Sequence, residues 1–154
     1  MVKKAPGFKL KDQTGKIRTL KEFAGKHLLI YFYPRDLTPG CTTEACSFQE
    51  NLSALKKLKL EVIGVSCDSI ESHKKFADKY DLEFTLLADT EQEMVKDYGV
   101  WVEKSMYGKK YMGIQRDSFL VGPKGEIIKH YQKVKPADHV AEIIQDLKNL
   151  KELN

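Results

Sequence analysis

The chain has 154 residues and carries 26 basic against 22 acidic side chains, so its formal net charge at pH 7 is +4. This length and an apolar content of 42% suit one domain with one core, and a single domain is predicted over residues 1–154. The basic residues stand in isolated doublets, which argues against a nucleic-acid-binding face, and apolar runs of about six residues are too short to cross a membrane.

Apolar runs and turn signals divide the first two thirds of the chain into strands and helices. Residues 8–20 are typical of a short hairpin, and one helical turn is predicted over 20–23. The predicted strands then cover 28–33, 60–66 and 84–87. The predicted helices cover about 41–60, then 70–80 with Asp68 and Ser69 as good capping residues, and a short segment through 94–98 that is capped at Asp89 and Thr90. This alternation predicts parallel strands joined by right-handed crossovers.

The last third of the chain has a different pattern. Residues 102–112 are polar and contain Gly108, so a loop is predicted there. Two strands at 118–121 and 127–131 flank a Gly-Pro-Lys-Gly turn, and a helix at about 137–150 closes the chain. The predicted fold class is therefore α/β, with a central mixed β-sheet flanked by helices and an N-terminal β-hairpin.

One stretch joins a strand to a helix and places a cysteine at the junction. Pro34 ends the apolar run 28–33, because proline has no N–H for a sheet ladder, and Cys41 stands where the next helix is predicted to begin. The helix dipole and the unpaired N–H groups of a first turn favour the thiolate, which is the nucleophilic form of cysteine. The alternative is an inert, buried cysteine, but the neighbouring threonines, proline and glycine do not form an apolar site.

A second cysteine, Cys46, follows five residues after Cys41 on the same predicted helix. Five residues rise ~7.5 Å and turn ~500° along a helix, so the two side chains face different directions. A disulfide needs Cα atoms within about 7 Å and converging Cβ vectors. If these cysteines form a disulfide, the first turns of the helix must unwind, which predicts a redox-coupled local unfolding around residues 41–46. In the alternative, Cys46 is packed in the core.

Three further features are weaker candidates for a site. Cys67 follows the 60–66 strand, either as a partly buried passenger or on the same side of the sheet as the cysteine loop. Arg116 precedes a buried strand, so it is either exposed or directed at an anion. The Cys-x4-Cys spacing and the four scattered histidines do not match a structural zinc site, so no metal is expected.

The expected cellular compartment follows from the N-terminus and from the number of cysteines. The first residues are basic but lack an apolar segment, so no secretory signal is expected. Three cysteines do not make a disulfide scaffold. The cytoplasm is therefore the expected compartment, where cysteines are more often catalytic or metal-binding than structural.

The cysteine stretch resembles the peroxiredoxin signature Pro-x-x-x-Thr/Ser-x-x-Cys. Pro34, Thr38 and Cys41 stand at its fixed positions, and the second cysteine five residues later is similar to the bacterioferritin comigratory protein (BCP/PrxQ) subfamily. The likeness extends over nearly the whole chain, including the segments Val65–Ser69, Phe84–Asp89, Trp101–Gly108 and Gly113–Arg116.

The resemblance implies a thioredoxin-like fold and a thiol-dependent peroxidase that reduces hydrogen peroxide and organic hydroperoxides. By this resemblance Cys41 is the peroxidatic cysteine, which becomes a sulfenic acid, and Thr38 and Arg116 are its polar partners. Pro34 and Gly40 are implied to shape the substrate pocket. All five residues lie in or next to the matched segments.

The resemblance also implies how the oxidised protein is recycled. Cys46 is the implied resolving cysteine, so an intramolecular Cys41–Cys46 disulfide is expected, and thioredoxin or a similar dithiol reduces it. Cys67 leaves the choice of resolving partner open. No metal or organic cofactor is needed, and resolution within one chain favours a monomer acting in antioxidant defence.

Two other functions would use the same cysteines. A disulfide oxidoreductase usually carries Cys-x-x-Cys, and the spacing here is longer. A redox sensor or holdase-like binding module would be oxidised once, whereas a peroxidase consumes peroxide steadily. Turnover therefore discriminates between the sensor and the enzyme.

Overall fold

The computed structural model of the protein describes residues 3–152. In chain order its elements are β1 (Lys9–Lys11), β2 (Ile17–Thr19), the 3-10 turn Leu20–Phe23, β3 (His27–Phe32), α1 (Pro39–Glu50), α2 (Leu52–Lys57), β4 (Leu60–Ser66), α3 (Ile70–Tyr80), β5 (Thr85–Ala88), α4 (Glu93–Asp97), β6 (Trp101–Met106), β7 (Lys109–Ile114), β8 (Ser118–Val121), β9 (Ile127–Tyr131) and α5 (His139–Glu152). Both ends of the domain predicted over 1–154, and the start of the basic N-terminal segment, lie outside the described residues. None of the described helices combines the length and the apolarity needed to span a membrane.

A five-stranded mixed sheet in the order β5-β4-β3-β8-β9 forms the centre of the fold. β3 pairs in parallel with β4, and β4 with β5, whereas β8 runs antiparallel to both β3 and β9. The parallel pairs need long connections, which are supplied by α1 with α2 and then by α3. The predicted mixed sheet, its parallel pairs and the N-terminal hairpin of β1 and β2 are therefore confirmed.

The central strand β3 contributes side chains to two apolar cores, because successive residues of a strand point to opposite faces. Leu29 and Tyr31 belong to the core that contains Phe48 of α1. Leu28 and Ile30 belong to the core that is formed with α4. All five side chains are buried, so β3 is packed on both of its faces, and the loop that follows it starts from a fixed position.

The prediction of one long helix at about 41–60 is wrong in two respects. α1 begins earlier, at Pro39, whose fixed φ suits a first helical position. The helical segment is also divided at Asn51, where α1 ends and α2 begins. The Asn51 side chain donates a hydrogen bond to the Ser47 carbonyl at 2.8 Å, and such local bonds compete with the helical ladder.

The loop predicted over residues 102–112 is wrong, because this segment forms an antiparallel hairpin. β6 and β7 pair along their length and end with Met106 opposite Lys109. Tyr107 and Gly108 form the turn, both in the left-handed region, with φ of 52° and 78°. Most side chains of the two strands are exposed or half-buried, so the hairpin lacks the alternating apolar pattern from which strands are predicted.

Local capping sets the limits of two shorter helices. Ser69 begins α3 as predicted, and its side chain accepts a hydrogen bond from Ser72 N at 3.1 Å. α4 begins at Glu93, later than the cap predicted at Asp89. The Asp89 carboxylate still serves this helix, because it accepts a hydrogen bond from Val95 N at 2.9 Å.

Candidate active site

Cys41 lies in the first turn of α1, close to the carboxyl end of β3. Thr38 precedes the helix with an extended backbone, and its carbonyl accepts a hydrogen bond from Thr42 N at 2.9 Å. The Cys41 side chain is only 1% exposed and belongs to the apolar cluster that contains Tyr31 and Tyr33. The thiol therefore lies at the positive end of the helix dipole and away from bulk water.

Arg116 brings a positive charge to this buried thiol. It lies between β7 and β8, and its Nη2 is 3.3 Å from Cys41 Sγ. Its Nη1 donates to Glu44 Oε1 at 2.8 Å, so the guanidinium joins two side chains of α1. A neighbouring guanidinium stabilises a thiolate over a thiol, which argues against the inert, buried cysteine. Of the two alternatives for Arg116, exposed or directed at an anion, this geometry favours the second.

Gly40 leaves the space that Arg116 occupies. A Cβ atom at this position would lie 3.1 Å from Arg116 Nη2, which is tighter than ordinary van der Waals contact. A larger residue would therefore press on the guanidinium and move it relative to Cys41 and Glu44. Gly40 therefore contributes to the site by having no side chain, which leaves room for the guanidinium, and its implied role in the substrate pocket stays a prediction.

Glu44 is a site residue that the sequence analysis does not identify. Its side chain is fully buried, and its Oε2 has no hydrogen-bond partner among residues 3–152. Burial raises the pKa of the Glu44 carboxyl to about 7, although the charge of Arg116 acts in the opposite direction. Its helical spacing is the available signal, because residues three apart on a helix share a face and Glu44 follows Cys41 by three positions.

Thr38 and Pro34 lie on the loop that leads from β3 into α1. The Thr38 hydroxyl donates to the Arg35 carbonyl at 2.9 Å, so its oxygen keeps lone pairs with which to accept a hydrogen bond from a ligand. Pro34 follows the end of β3 and is exposed. Both residues therefore belong to the segment that carries the thiol, and the Thr38 donor is directed at the backbone of that segment.

The other two cysteines are half-buried free thiols. Cys46 lies on the same α1 as Cys41, so the two cannot form a disulfide without local unwinding. Burial raises the pKa of Cys46, and the Glu50 carboxylate adds to this rise. Cys67 follows β4, where burial, together with nearby carboxylates, raises its pKa to about 12. Their surroundings therefore disfavour the thiolate at both positions.

An open groove of about 530 Å³ is lined in part by Arg116. Its other walls combine apolar and basic side chains, among them Val102, Tyr111, Val134, Lys104 and Lys133. Glu103 also lines the groove, whereas the buried Cys41 is not among the described residues that line it, so a small electrophile there would meet the guanidinium of Arg116 and not the sulfur itself. The arrangement suits attack by sulfur on an electrophilic oxygen or sulfur, because the guanidinium stabilises the negative charge that develops.

Comparisons with known proteins agree with this chemistry. The AhpC/TSA family model matches residues 1–130. The chain is 46% identical to the peroxiredoxin Bcp of Bacillus subtilis over 149 residues, which cover 97% of this chain and 95% of that protein. Two Xanthomonas campestris structures, a peroxiredoxin Q and a bacterioferritin comigratory protein studied for alkyl peroxide reduction, are each 39% identical, with a TM-score of 0.88 over 92% of this chain and 90% of theirs. The predicted family and the thioredoxin-like fold are thereby confirmed.

Proposed function

This chain belongs to the AhpC/TSA family and is a peroxiredoxin of the Bcp type, and on that premise we propose that Cys41 is its peroxidatic cysteine. The observation that carries the proposal is the 3.3 Å contact between Arg116 Nη2 and Cys41 Sγ in the first turn of α1. A thiol peroxidase needs a thiolate, and this contact supplies its charge partner. Cys46 and Cys67 lie near carboxylates instead, which disfavour a thiolate.

In the first step, the Cys41 thiolate attacks the terminal O–H oxygen of a hydroperoxide and the O–O bond breaks. The sulfur becomes a sulfenic acid, and the leaving alkoxide or hydroxide takes up a proton to give an alcohol or water. Arg116 and the N–H groups at the start of α1 stabilise the negative charge as it develops on the leaving oxygen. Thr38 Oγ1, whose own hydrogen is bonded to the Arg35 carbonyl, accepts the hydrogen bond of the peroxide O–H.

Resolution of the sulfenic acid requires the start of α1 to unwind, because Cys46 lies five residues farther along the same helix. The Cys46 sulfur then attacks the Cys41 sulfur, water leaves, and an intramolecular disulfide forms. A dithiol protein such as thioredoxin reduces this bond by exchange through a mixed disulfide. Cys67 is less suited to this attack, since its pKa is raised to about 12.

The substrates we propose are hydrogen peroxide and organic hydroperoxides. The Xanthomonas campestris relative studied for alkyl peroxide reduction supports the second class, and the groove beside Arg116 has apolar walls for an alkyl group. Resolution within one chain needs no second subunit, so the proposed working form is a monomer with one domain over residues 1–154. Its proposed setting is antioxidant defence in the cytoplasm.

The experiment that tests this proposal follows peroxide consumption by the reduced protein with a thioredoxin system. Cys41→Ser should lose catalysed consumption, whereas Cys46→Ser should stop after about one turnover, with sulfenic or sulfinic acid on Cys41 by mass spectrometry. Cys67→Ser is the matched control and should turn over like the wild type. Full activity in Cys41→Ser would contradict the proposal. Sustained turnover in Cys46→Ser, with a Cys41–Cys67 disulfide, would overturn the resolving assignment alone.

A further inference from the structure

Asp36 lies in the loop between β3 and α1, and it is bonded to three other parts of the chain. Tyr33 OH, at the end of β3, donates to Oδ1 at 2.6 Å, and Ser72 Oγ of α3 donates to Oδ2 at 2.8 Å. His73 Nδ1, also in α3, lies 2.7 Å from Oδ2. The Asp36 backbone N–H donates to Asp68 Oδ2 at 2.8 Å, in the segment after β4. We call these five residues the Asp36 anchor.

The buried histidine of the anchor has both ring nitrogens engaged. His73 is fully buried, and its Nε2 lies 2.8 Å from the Leu87 carbonyl oxygen. A carbonyl only accepts, so Nε2 carries a hydrogen, and Nδ1 lies within hydrogen-bond distance of Asp36 Oδ2. Asp36, Asp68 and His73 lie close enough together to hold a metal ion, but both ring nitrogens of His73 already have hydrogen-bond partners within the protein. The hydrogen bonds therefore favour a structural anchor over a metal site.

Leu37, which follows Asp36, has a backbone conformation that leucine disfavours. Leu37 has a φ of 64°, in the left-handed region, although it has a bulky side chain. This side chain is 45% exposed, so packing contributes little to holding it. The restraints come from its neighbours: Asp36 is bonded as described, and the Thr38 hydroxyl closes the turn by donating to the Arg35 carbonyl at 2.9 Å. The anchor thus maintains a strained turn directly before α1.

We propose that Asp36 and His73 are positioning residues for the peroxide step. They hold the turn of residues 35–38, and through it they hold the first turn of α1, in which Cys41 contacts Arg116. The inference rests on the proposed role of Cys41. It also predicts opposite effects on two steps, since loss of the anchor misplaces the thiolate for peroxide but eases the unwinding that the disulfide requires.

The test measures two rates by rapid quenching and mass spectrometry at a temperature where circular dichroism shows a folded protein. These are the rate of Cys41 oxidation by hydrogen peroxide and the rate of the subsequent Cys41–Cys46 disulfide formation. In Asp36→Ala and His73→Ala, oxidation should slow by about 10- to 100-fold, because small misplacements of a reacting group have effects of this size. Disulfide formation in the same variants should be as fast as in the wild type or faster.

Two rescue variants separate positioning from a general loss of structure. Asp36→Asn removes the charge but can keep the contacts, because an NH2 group in place of Oδ2 has two hydrogens, one for His73 Nδ1 and one for Ser72 Oγ, which then accepts instead of donating. Its oxidation rate should stay within about threefold of the wild type. Leu37→Asn, added to Asp36→Ala, should recover part of the lost rate, since asparagine tolerates the left-handed conformation better than leucine. His139→Gln is the matched control, a buried histidine bonded to Ser118, and it should oxidise at the wild-type rate.

Each outcome decides a separate point. Folded Asp36→Ala with the wild-type oxidation rate would overturn the anchor proposal, as would equal slowing in His139→Gln. Parallel slowing of oxidation and disulfide formation would also overturn it, because a general loss of structure would then be sufficient. If Asp36→Ala fails to fold, His73→Ala carries the same test, and a folded His73→Ala with the wild-type oxidation rate would then overturn the proposal. Failure of the wild-type protein to be oxidised at Cys41 would instead contradict the proposed function.

Discussion

Cys41 and Cys46 lie on one helix, five residues apart, yet their surroundings are opposite in charge. Cys41 is buried and contacts the guanidinium of Arg116 at 3.3 Å. Cys46 is half-buried, and both burial and the Glu50 carboxylate raise its pKa. The two thiols are chemically identical, so the different roles proposed for them depend on what the fold brings to each.

The comparison shows that burial and charge act on a thiol in different directions. Burial by itself disfavours a thiolate, as the raised pKa values of Cys46 and Cys67 illustrate. At Cys41 the more complete burial is accompanied by a guanidinium and a helix N-terminus, which stabilise negative charge. Each feature that distinguishes the surroundings of Cys41 from those of Cys46 can be changed or measured separately.

Removing the guanidinium should have the largest effect. In Arg116→Met the thiolate loses its charge partner, and the second-order rate of Cys41 oxidation by hydrogen peroxide should fall by about 100- to 1000-fold. Arg116→Lys keeps the charge but has no planar fork that places a separate nitrogen on Cys41 and on Glu44, so its rate should lie between those of the wild type and Arg116→Met. Stopped-flow measurement at several pH values checks this. Equal rates in all three proteins would show that the Arg116 contact does not distinguish Cys41 from Cys46.

Oxidation should remove the helical connection between the two cysteines. If the Cys41–Cys46 disulfide forms, the amide groups of residues 39–46 should exchange at least about tenfold faster in the oxidised protein than in the reduced protein. The amide groups of β4, an inner strand of the sheet, serve as the internal reference. Unchanged protection of residues 39–46 in a protein whose disulfide is verified by mass spectrometry would rule out the local unwinding.

Displacing the guanidinium, rather than removing it, should have a smaller effect. The Cβ atom of Gly40→Ala would lie 3.1 Å from Arg116 Nη2, so the guanidinium should shift and Cys41 oxidation should slow by about tenfold. Gly7→Ala is the control, because a Cβ atom at that position meets none of the described residues 3–152 within 4 Å. The same stopped-flow assay applies. A Gly40→Ala enzyme as fast as Gly7→Ala would mean that the site has room to adjust.

The last difference concerns the stability of the fold, not the reaction rate, and it comes from the proton of Glu44. Burial raises the pKa of this carboxyl from 4.5 to about 7, so the folded protein binds a proton more tightly than the unfolded chain. This contribution to stability is complete below pH 4.5 and is lost as the pH rises through about 7, by up to about 3 kcal/mol. Glu44→Gln should flatten the decline in unfolding free energy over this range. Urea titrations of Glu44→Gln and of the exposed-site control Glu91→Gln check it, and equal slopes in both would contradict the prediction.

Some elements follow from local sequence because a short segment contains the whole signal. The 60–66 strand is a continuous apolar run, and Ser69 begins α3 as a capping residue, and both predictions are confirmed. The β6–β7 hairpin is the opposite case, since its strands are largely exposed and lack the alternating apolar pattern by which a strand is recognised. The break at Asn51 also escapes prediction, because the apolar spacing continues across it.

The sequence by itself determined the family, the order of most strands and helices, and the position of Cys41 near a helix start. These features depend on residues that are close together in the chain. Only the tertiary structure decided that Arg116 contacts the thiol, that Glu44 is buried beside it, and that Asp36 is bonded to His73. The partners in these three contacts are separated along the chain by 75, 72 and 37 positions, respectively. No local sequence pattern predicts which distant side chains the folded sheet and its helices bring together.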